Sequence, residues 1–191
     1  MVFQKLNWVD IVILILLARI CYIAVKSGML TELFKLLGVI LSAYLSLHYY
    51  VLFSAYFVNR LGLKNINTHF IGLFSFVLLA AAGYLVFLGL RILFVKFIKA
   101  ESTPGLHRWG GIIVGLARGF LLASLVVFSL AISGSGYFYN SVKDSYSGRY
   151  WVNLSCGFYS NLWDNLASKF MTQEKFNKKP AMVQKGLADK K

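Results

Sequence analysis

Long stretches without a charged residue dominate this chain. Three of them cover residues 36–59, 65–90 and 119–142. Crossing a hydrocarbon layer of about 30 Å takes roughly 20 helical residues, so each stretch is long enough to span a bilayer. A spanning segment has to be helical, because lipid offers no partners to free backbone groups. The pattern therefore predicts transmembrane helices.

A fourth apolar stretch runs from Trp8 to Val25 and contains Arg19. The four stretches together predict helices at about 8–26, 33–57, 70–95 and 110–132. A cleaved signal peptide is the alternative for the first stretch. Its apolar run is longer than a signal core, however, and no small-x-small cleavage site follows before Lys26.

Composition agrees with a lipid environment. The chain is 58% hydrophobic and 14% charged, whereas about a quarter of the residues of a soluble domain are charged. The abundance of apolar residues excludes intrinsic disorder of the whole chain. Cys21 and Cys156 are the two cysteines, which excludes a disulfide-rich scaffold.

Basic residues are distributed unevenly around the predicted helices. Eight lie around loops 1 and 3: Arg19, Lys26, Lys35, Arg91, Lys96, Lys99, Arg108 and Arg118. Five lie on the opposite side: Lys5, Arg60, Lys64, Lys143 and Arg149. The positive-inside rule then predicts cytoplasmic loops 1 and 3 and periplasmic termini. Attraction to anionic lipid head groups accounts for the net charge of +13 better than nucleic-acid binding, for which no motif is present.

Small residues recur at every fourth position of the fourth helix. They are Gly111, Gly115, Gly119 and Ala123, and on a helix they form a smooth stripe along which another helix approaches closely. We expect an intramolecular groove filled by helix 2 or 3. Homodimerisation through the stripe is the alternative.

Four short runs carry a family resemblance. They are Asn7-Trp8-Val9-Asp10, the turn Lys26-Ser27-Gly28-Met29-Leu30-Thr31-Glu32, His107-Arg108-Trp109-Gly110-Gly111, and Gly115-Leu116-Ala117-Arg118-Gly119. Their order and spacing, over roughly residues 5 to 165, resemble the colicin V production protein family of bacterial inner-membrane proteins.

The resemblance implies a four-span inner-membrane protein without catalytic activity. It also implies a link to toxin (colicin V) production or export and to envelope maintenance. Two positions depart from the family pattern: Ser27-Gly28 stands where Arg-Gly is common, and His107-Arg108 where Asp-Arg is common. If an acid–base pair between those loops matters in the family, the two departures imply that it is absent or rebuilt in this chain.

Acidic and histidine residues are too scattered to predict a catalytic or metal site. No two carboxylates share a spacing suited to metal binding or acid–base chemistry. His48, His69 and His107 have no ligand partner nearby in the sequence, and nucleophile, phosphate and dinucleotide motifs are missing. We expect no enzymatic activity, no metal and no cofactor. We interpret His48 as an interfacial histidine, with a proton-relay role as the alternative.

Charged residues in or near the spans are the remaining functional candidates. They are Asp10, Arg19, Glu32, Arg108 and Arg118. We expect Arg19 to extend towards the head groups, and Asp10 and Glu32 to stabilise helix N-termini. A pair between Arg19 and Glu32, near a permeation path, is the alternative.

The pattern of apolar residues in the C-terminal region predicts an amphipathic helix over residues 137–171. Its apolar face is formed by Trp151, Leu154, Phe158, Leu162, Leu166 and Phe170. This face favours a helix at the membrane interface, or else a helix docked on a partner. Residues 172–191 are rich in lysine and are expected to be disordered.

The predicted fold class is an all-α membrane protein, a four-transmembrane-helix bundle with a C-terminal amphipathic interfacial helix. The predicted function is a non-enzymatic inner-membrane factor of the colicin V production type. The alternative is a small oligomeric channel or transporter subunit, and a membrane enzyme ranks third. The expected partners are the lipid bilayer with its anionic head groups, and either a second copy or an unidentified membrane protein. Nucleic acid is not expected as a partner.

Overall fold

The computed structural model describes residues 7–60, 62, 67–97 and 104–188, and their side chains apart from those of 94–97 and 104–108. Four long helices come first: α1 (Trp8–Ser27), α2 (Met29–Arg60), α3 (Thr68–Phe97) and α4 (Pro104–Ile132). All four are long and apolar enough to cross a membrane, and the described residues contain no strand. The predicted all-α class with four spans is confirmed.

The turn between α1 and α2 is short and sharply defined. Gly28 has a φ of 76°, a left-handed backbone conformation that glycine adopts without steric penalty. One residue therefore separates the two helices. The other end of α1 carries a capping box, in which Asn7 and Asp10 each bind the other's backbone N–H group.

The four helices pack in the order α1–α4–α2–α3. In an apolar 18-residue stretch of α2 and of α4, 50% is buried inside the protein. The corresponding share is 28% for α1 and for α3. Side chains at the centre of the core are Val39, Leu47, Phe76, Val127 and Phe128. Large apolar side chains on the outer helices stay exposed, as at Leu14, Ile15, Phe70, Leu85 and Ile92, which is expected where lipid is the solvent.

Shorter helices follow the fourth span. They are α5 (Gly136–Asp144), α6 (Gly148–Leu162), a π-helical turn (Trp163–Ala167), α7 (Ser168–Phe170) and α8 (Lys179–Ala188). Helix α6 packs mainly on α4, and α8 packs on α6. These helices therefore continue the core of the four long helices.

The C-terminal helix differs from its predicted form in two ways. It is interrupted at residues 145–147, and the buried face is shifted from the predicted one: Trp151 is buried as expected and Leu154, Phe158 and Leu162 pack partly buried against the core, but the fully buried face lies one residue further round the helix. Tyr159 and Trp163 are buried, whereas Leu166 and Phe170 are 57% and 81% exposed. The reason is that α6 packs on the long helices, so the buried face is selected by fit to α4 and α2 and not by apolar periodicity alone.

The segment after residue 171 is also more ordered than its composition predicts. Residues 179–188 form α8, in which Pro180 and Leu187 are buried. Phe176 stacks on Tyr159 with ring centroids 5.1 Å apart. A few well-placed apolar contacts thus hold a lysine-rich segment against the core, so the disorder predicted for 172–191 does not describe residues 172–188.

Candidate functional site

A cluster of paired charges lies inside the helical core near the α1–α2 turn. Glu32 Oε1 is 2.7 Å from Lys35 Nζ, and Glu32 Oε2 is 3.1 Å from Arg118 Nη1. Glu32 has no exposed surface and Arg118 is 5% exposed. Lys35 Nζ also donates a hydrogen bond of 3.1 Å to Ser27 Oγ. Two cations therefore share one carboxylate, and the cluster keeps a net positive charge.

Local backbone geometry brings the cluster together. The Glu32 N–H donates to the Gly28 carbonyl over 3.1 Å, which places Glu32 in the first turn of α2. Lys35 follows three residues later and so lies on the same face of the helix. Arg118 comes from α4, one turn after Gly115. The pair between Glu32 and Arg118 thus joins the beginning of α2 to the middle of α4.

The glycine stripe of α4 lets α1 approach closely. A Cβ atom built on Gly115 would lie 2.3 Å from Ala24 Cβ, and one built on Gly119 would lie 3.1 Å from Leu17 Cδ2. Ala123 extends the stripe and is fully buried. The groove is therefore filled by α1, and not by helix 2 or 3 as the sequence led us to expect. Homodimerisation through the stripe would require α1 to leave it.

The same contact explains Gly111, where a Cβ atom would lie 3.1 Å from the Ala24 carbonyl oxygen. Close backbone approach is favourable in lipid, where helices gain little from hydrophobic association. It also brings α4 near enough for Arg118 to reach Glu32. The stripe and the ion pair are consequently parts of one interface among α1, α2 and α4.

Pairing is what permits these charges to be buried. An unpaired charge in a low-dielectric interior is strongly destabilising, whereas a paired one is tolerated. Within the described residues, Arg118 Nε has no hydrogen-bond partner. The cluster can therefore hold the helices in position, and the Nε–H group of Arg118 remains available to donate a hydrogen bond.

Asp10 performs a second joining role at the opposite end of α1. Its side chain accepts hydrogen bonds from the backbone N–H groups of Tyr146 (3.2 Å) and Ser147 (3.0 Å), and from the Ser147 hydroxyl. Because Asp10 also binds the Asn7 N–H, one carboxylate caps α1 and holds the turn between α5 and α6. Asp10 therefore stabilises the N-terminus of α1, as expected, and it also makes hydrogen bonds to the α5–α6 turn that the sequence did not predict.

A polar cluster around His48 was not identified from the sequence. His48 is buried, with Nδ1 2.7 Å from the Tyr159 hydroxyl oxygen and Nε2 3.1 Å from Glu174 Oε2. The Tyr49 hydroxyl donates to the other oxygen of Glu174. The contact between Nε2 and Glu174 Oε2 lacks hydrogen-bond geometry, whereas the Tyr159 hydroxyl oxygen also accepts a hydrogen bond of 3.1 Å from the Asn177 backbone N–H. Burial raises the pKa of Tyr159 to about 12, so this phenol keeps its proton at neutral pH.

Sequence reasoning missed this cluster because its members are far apart along the chain. His48 and Tyr159 are separated by 111 positions, and an interfacial histidine was the expectation. The structure instead places the imidazole between the rings of Tyr44 and Trp163, at centroid distances of 5.3 and 5.1 Å. The aromatic residues that flank His48 in the sequence were the available signal that this histidine could lie in a buried aromatic cluster.

The remaining candidate charges do not join these clusters. Arg19 is exposed on α1, and Glu32 pairs with Lys35 and Arg118 rather than with Arg19. The side chain of Arg108 lies outside the described residues. Glu32 and Arg118 are therefore the two predicted candidates that the structure brings into contact.

Comparison with known proteins identifies the family. The model of the colicin V production protein family matches residues 9–155, which is most of the chain. The chain belongs to the colicin V production protein family. No curated protein and no solved structure matches it.

The match to the colicin V production family covers the three structural features that organise the spans. Asp10, the glycine stripe and the Glu32–Arg118 pair all lie within it, whereas Tyr159 and Glu174 lie beyond its end. Two of the runs that carry the family resemblance, residues 26–32 and 115–119, meet in space at the ion pair. An acid–base link between these two runs is therefore present in this member of the family.

Proposed function

We propose that this member of the colicin V production family is a non-enzymatic inner-membrane assembly factor. In this proposal it supports the production or export of a colicin V-type toxin and the maintenance of the cell envelope. The observation that carries the proposal is the meeting of two family-typical runs in a buried ion pair that joins helices. Charges that pair inside the core in this way stabilise the helix bundle. Side chains on the surface of the bundle then remain available to bind partners.

Exposed basic side chains of the helix bundle are the proposed contact points for partners. Arg19 and Lys26 are exposed near the α1–α2 turn, where an anionic head group or an acidic segment of a membrane partner would be attracted. The Lys26 ammonium lies over the Tyr22 ring, 4.3 Å from its centroid, which orients it at the surface. The proposed partners are anionic lipids and an unidentified membrane protein, with self-association as the alternative.

Complementation tests the proposed role. A colicin V-producing strain that lacks its own family member would be supplied with this chain, and active toxin in the medium would be measured by growth inhibition of a sensitive strain. We expect restored toxin release and restored resistance to detergent. If the chain is present in the membrane at the level of the native protein and neither property changes, the proposal is wrong.

The proposed orientation places the α1–α2 turn in the cytoplasm and both termini in the periplasm. This follows from the excess of basic residues around loops 1 and 3. Fusion of alkaline phosphatase after Lys191 should give an active periplasmic enzyme, and fusion of green fluorescent protein at the same position should stay dark. An inactive phosphatase fusion together with a fluorescent protein fusion would instead indicate that the C-terminus lies in the cytoplasm.

A small channel or transporter subunit is the second candidate. The observation that favours it is the buried charge of Glu32, Lys35 and Arg118 within the spanning region, since intramembrane charges often mark ion pathways. The double variant Glu32→Met with Arg118→Met separates the two candidates. An assembly factor should retain toxin release in proportion to its amount in the membrane, whereas a charge-dependent pore should lose both toxin release and ion flux in liposomes.

A further inference from the structure

A cavity of about 690 Å³ lies at the end of the spans where α2, α3 and α4 approach α5 and α8. Its volume is within the range of roughly 300–1,000 Å³ that is typical of ligand sites. The spans contribute one side of it, including Tyr50, Ser54 and Gly72, and α8 contributes Met182 and Val183. The cavity is therefore an open one, bordered partly by helices of the membrane region and partly by the C-terminal segment.

The cavity wall is mostly apolar, and its charged lining residue is a cation. Lys179, the first residue of α8, lines the cavity, and no acidic residue does so among the described residues. The surrounding segment 172–188 contains four lysines and one acid, Glu174. Glu174 is engaged by His48 and Tyr49, so it does not neutralise Lys179.

Helix direction adds to this positive potential. The cavity is lined by the first residues of α3, α5 and α8, namely Thr68, Gly136 and Lys179. The N-terminus of a helix carries a partial positive charge. The cavity is also lined by Ala131 and Ile132 at the C-terminal end of α4, which carries a partial negative charge. Three N-terminal ends and an ammonium group outweigh this single C-terminal end, and the combination suits a molecule with an anionic head and a hydrocarbon body.

We propose that this cavity binds an anionic phospholipid, with an acyl chain against the apolar wall formed by α2, α4 and α8 and the phosphate next to Lys179. The position at the span ends supports this occupant, because lipid head groups lie at that depth of a bilayer. The site does not depend on the role proposed above in toxin production, and its failure would leave that role unaffected. Bound lipid would join α8 to the spans.

Two glycines allow the cavity to be filled without disturbing its walls. A Cβ atom built on Gly72 or on Gly136 meets no atom within 4 Å, and both residues line the cavity. Gly89 on α3 and Gly157 on α6 are equally open but lie outside the cavity. Gly72→Phe and Gly89→Phe form one matched pair of variants, and Gly136→Leu and Gly157→Leu form a second.

The experiment is native mass spectrometry of the full chain in a zwitterionic detergent, with phosphatidylglycerol or phosphatidylcholine added at equal concentration. We expect one tightly bound phosphatidylglycerol per chain, a loss of about tenfold in its apparent affinity in Gly72→Phe, and wild-type binding in Gly89→Phe. Lys179→Gln should weaken phosphatidylglycerol binding by about fivefold and leave phosphatidylcholine binding unchanged.

Three results would overturn the proposal. They are equal binding of the two lipids by the wild type, undiminished binding in Gly72→Phe, and an equal loss in both members of a matched pair. Should Gly72→Phe not yield folded protein, the pair Gly136→Leu and Gly157→Leu decides by the same criteria.

Discussion

Removing the Glu32 carboxylate should destabilise the protein more than removing either of its cationic partners. Glu32→Met leaves Arg118, which is 5% exposed, without a counter-charge. Breaking a buried ion pair from one side reduces the free energy of unfolding by about 3–5 kcal/mol. Lys35 is less affected, because its side chain is 13% exposed and it keeps the hydrogen bond to Ser27.

Arg118→Met should have a smaller effect, since Glu32 retains Lys35 at 2.7 Å. We expect a loss of about 1.5–3 kcal/mol, below the cost of leaving a buried charge without any partner. The double variant Glu32→Met with Arg118→Met removes both buried charges and should lie close to the wild type. The two single effects therefore should not add, and the coupling free energy should be close to the sum of the single losses, about 4.5–8 kcal/mol.

The assay is reversible unfolding in mixed micelles, titrated with a denaturing detergent and followed by circular dichroism. Asp164→Asn serves as the control, because Asp164 is exposed and surface charges contribute little. The reasoning is refuted if the single losses add to that of the double variant within about 0.5 kcal/mol, or if Arg118→Met is the more damaging change.

Other contacts give further predictions. Gly115→Ala should destabilise the protein by about 1–3 kcal/mol through overpacking against α1, whereas Gly89→Ala, in open space, should not, as thermal denaturation in detergent would show. Asp10→Ala should lose about 1–3 kcal/mol and speed amide exchange in the α5–α6 turn, which mass spectrometry detects; unchanged exchange would contradict the assigned hydrogen bonds. Burial raises the pKa of the Cys156 thiol to about 11, so about a thousandth of it is thiolate at pH 8. In a Cys21→Ser variant, maleimide labelling should therefore be slow at pH 8 and about tenfold faster at pH 9; rapid labelling at pH 8 would argue against this burial.

The sequence was sufficient to predict the spans, because charge-free length is a local property. The break between α1 and α2 falls at Gly28, inside the predicted break at 27–32, whereas α4 begins at Pro104, six residues before the predicted start at about 110. What local patterns do not specify is which helices are neighbours. The order α1–α4–α2–α3 decides that Glu32 meets Arg118 and not Arg19.

A signal for that contact was nevertheless present on α4. Arg118 follows Gly115 by three residues, and therefore lies close to the glycine stripe on the helix surface. A charged residue beside a stripe that is built for close packing should itself lie in an interface, where it needs a counter-charge. Glu32 was the acid placed at the same depth by the α1–α2 turn.

The C-terminal segment was harder to predict, because its order depends on long-range partners. Lysine-rich composition favours disorder when a segment is considered alone. Asn177 nevertheless donates to the carbonyl oxygens of Leu47 and His48, at 2.8 and 3.1 Å, and Cys156 donates to the Pro180 carbonyl. Such contacts follow from the position of α6 on the long helices, which composition does not encode.

Polar contacts carry much of the structural organisation of this membrane protein. Asp10 joins α1 to the α5–α6 turn, Glu174 joins the C-terminal segment to α2, and Glu32 joins α2 to α4. This distribution is expected where lipid surrounds the helices, because apolar faces then distinguish poorly between a neighbouring helix and a lipid chain. Loss of activity in a variant at any of these acids is accordingly evidence about folding until the amount of protein in the membrane has been measured. Variants of exposed residues such as Arg19 and Lys26 leave these contacts intact, and they are the ones that test partner binding directly.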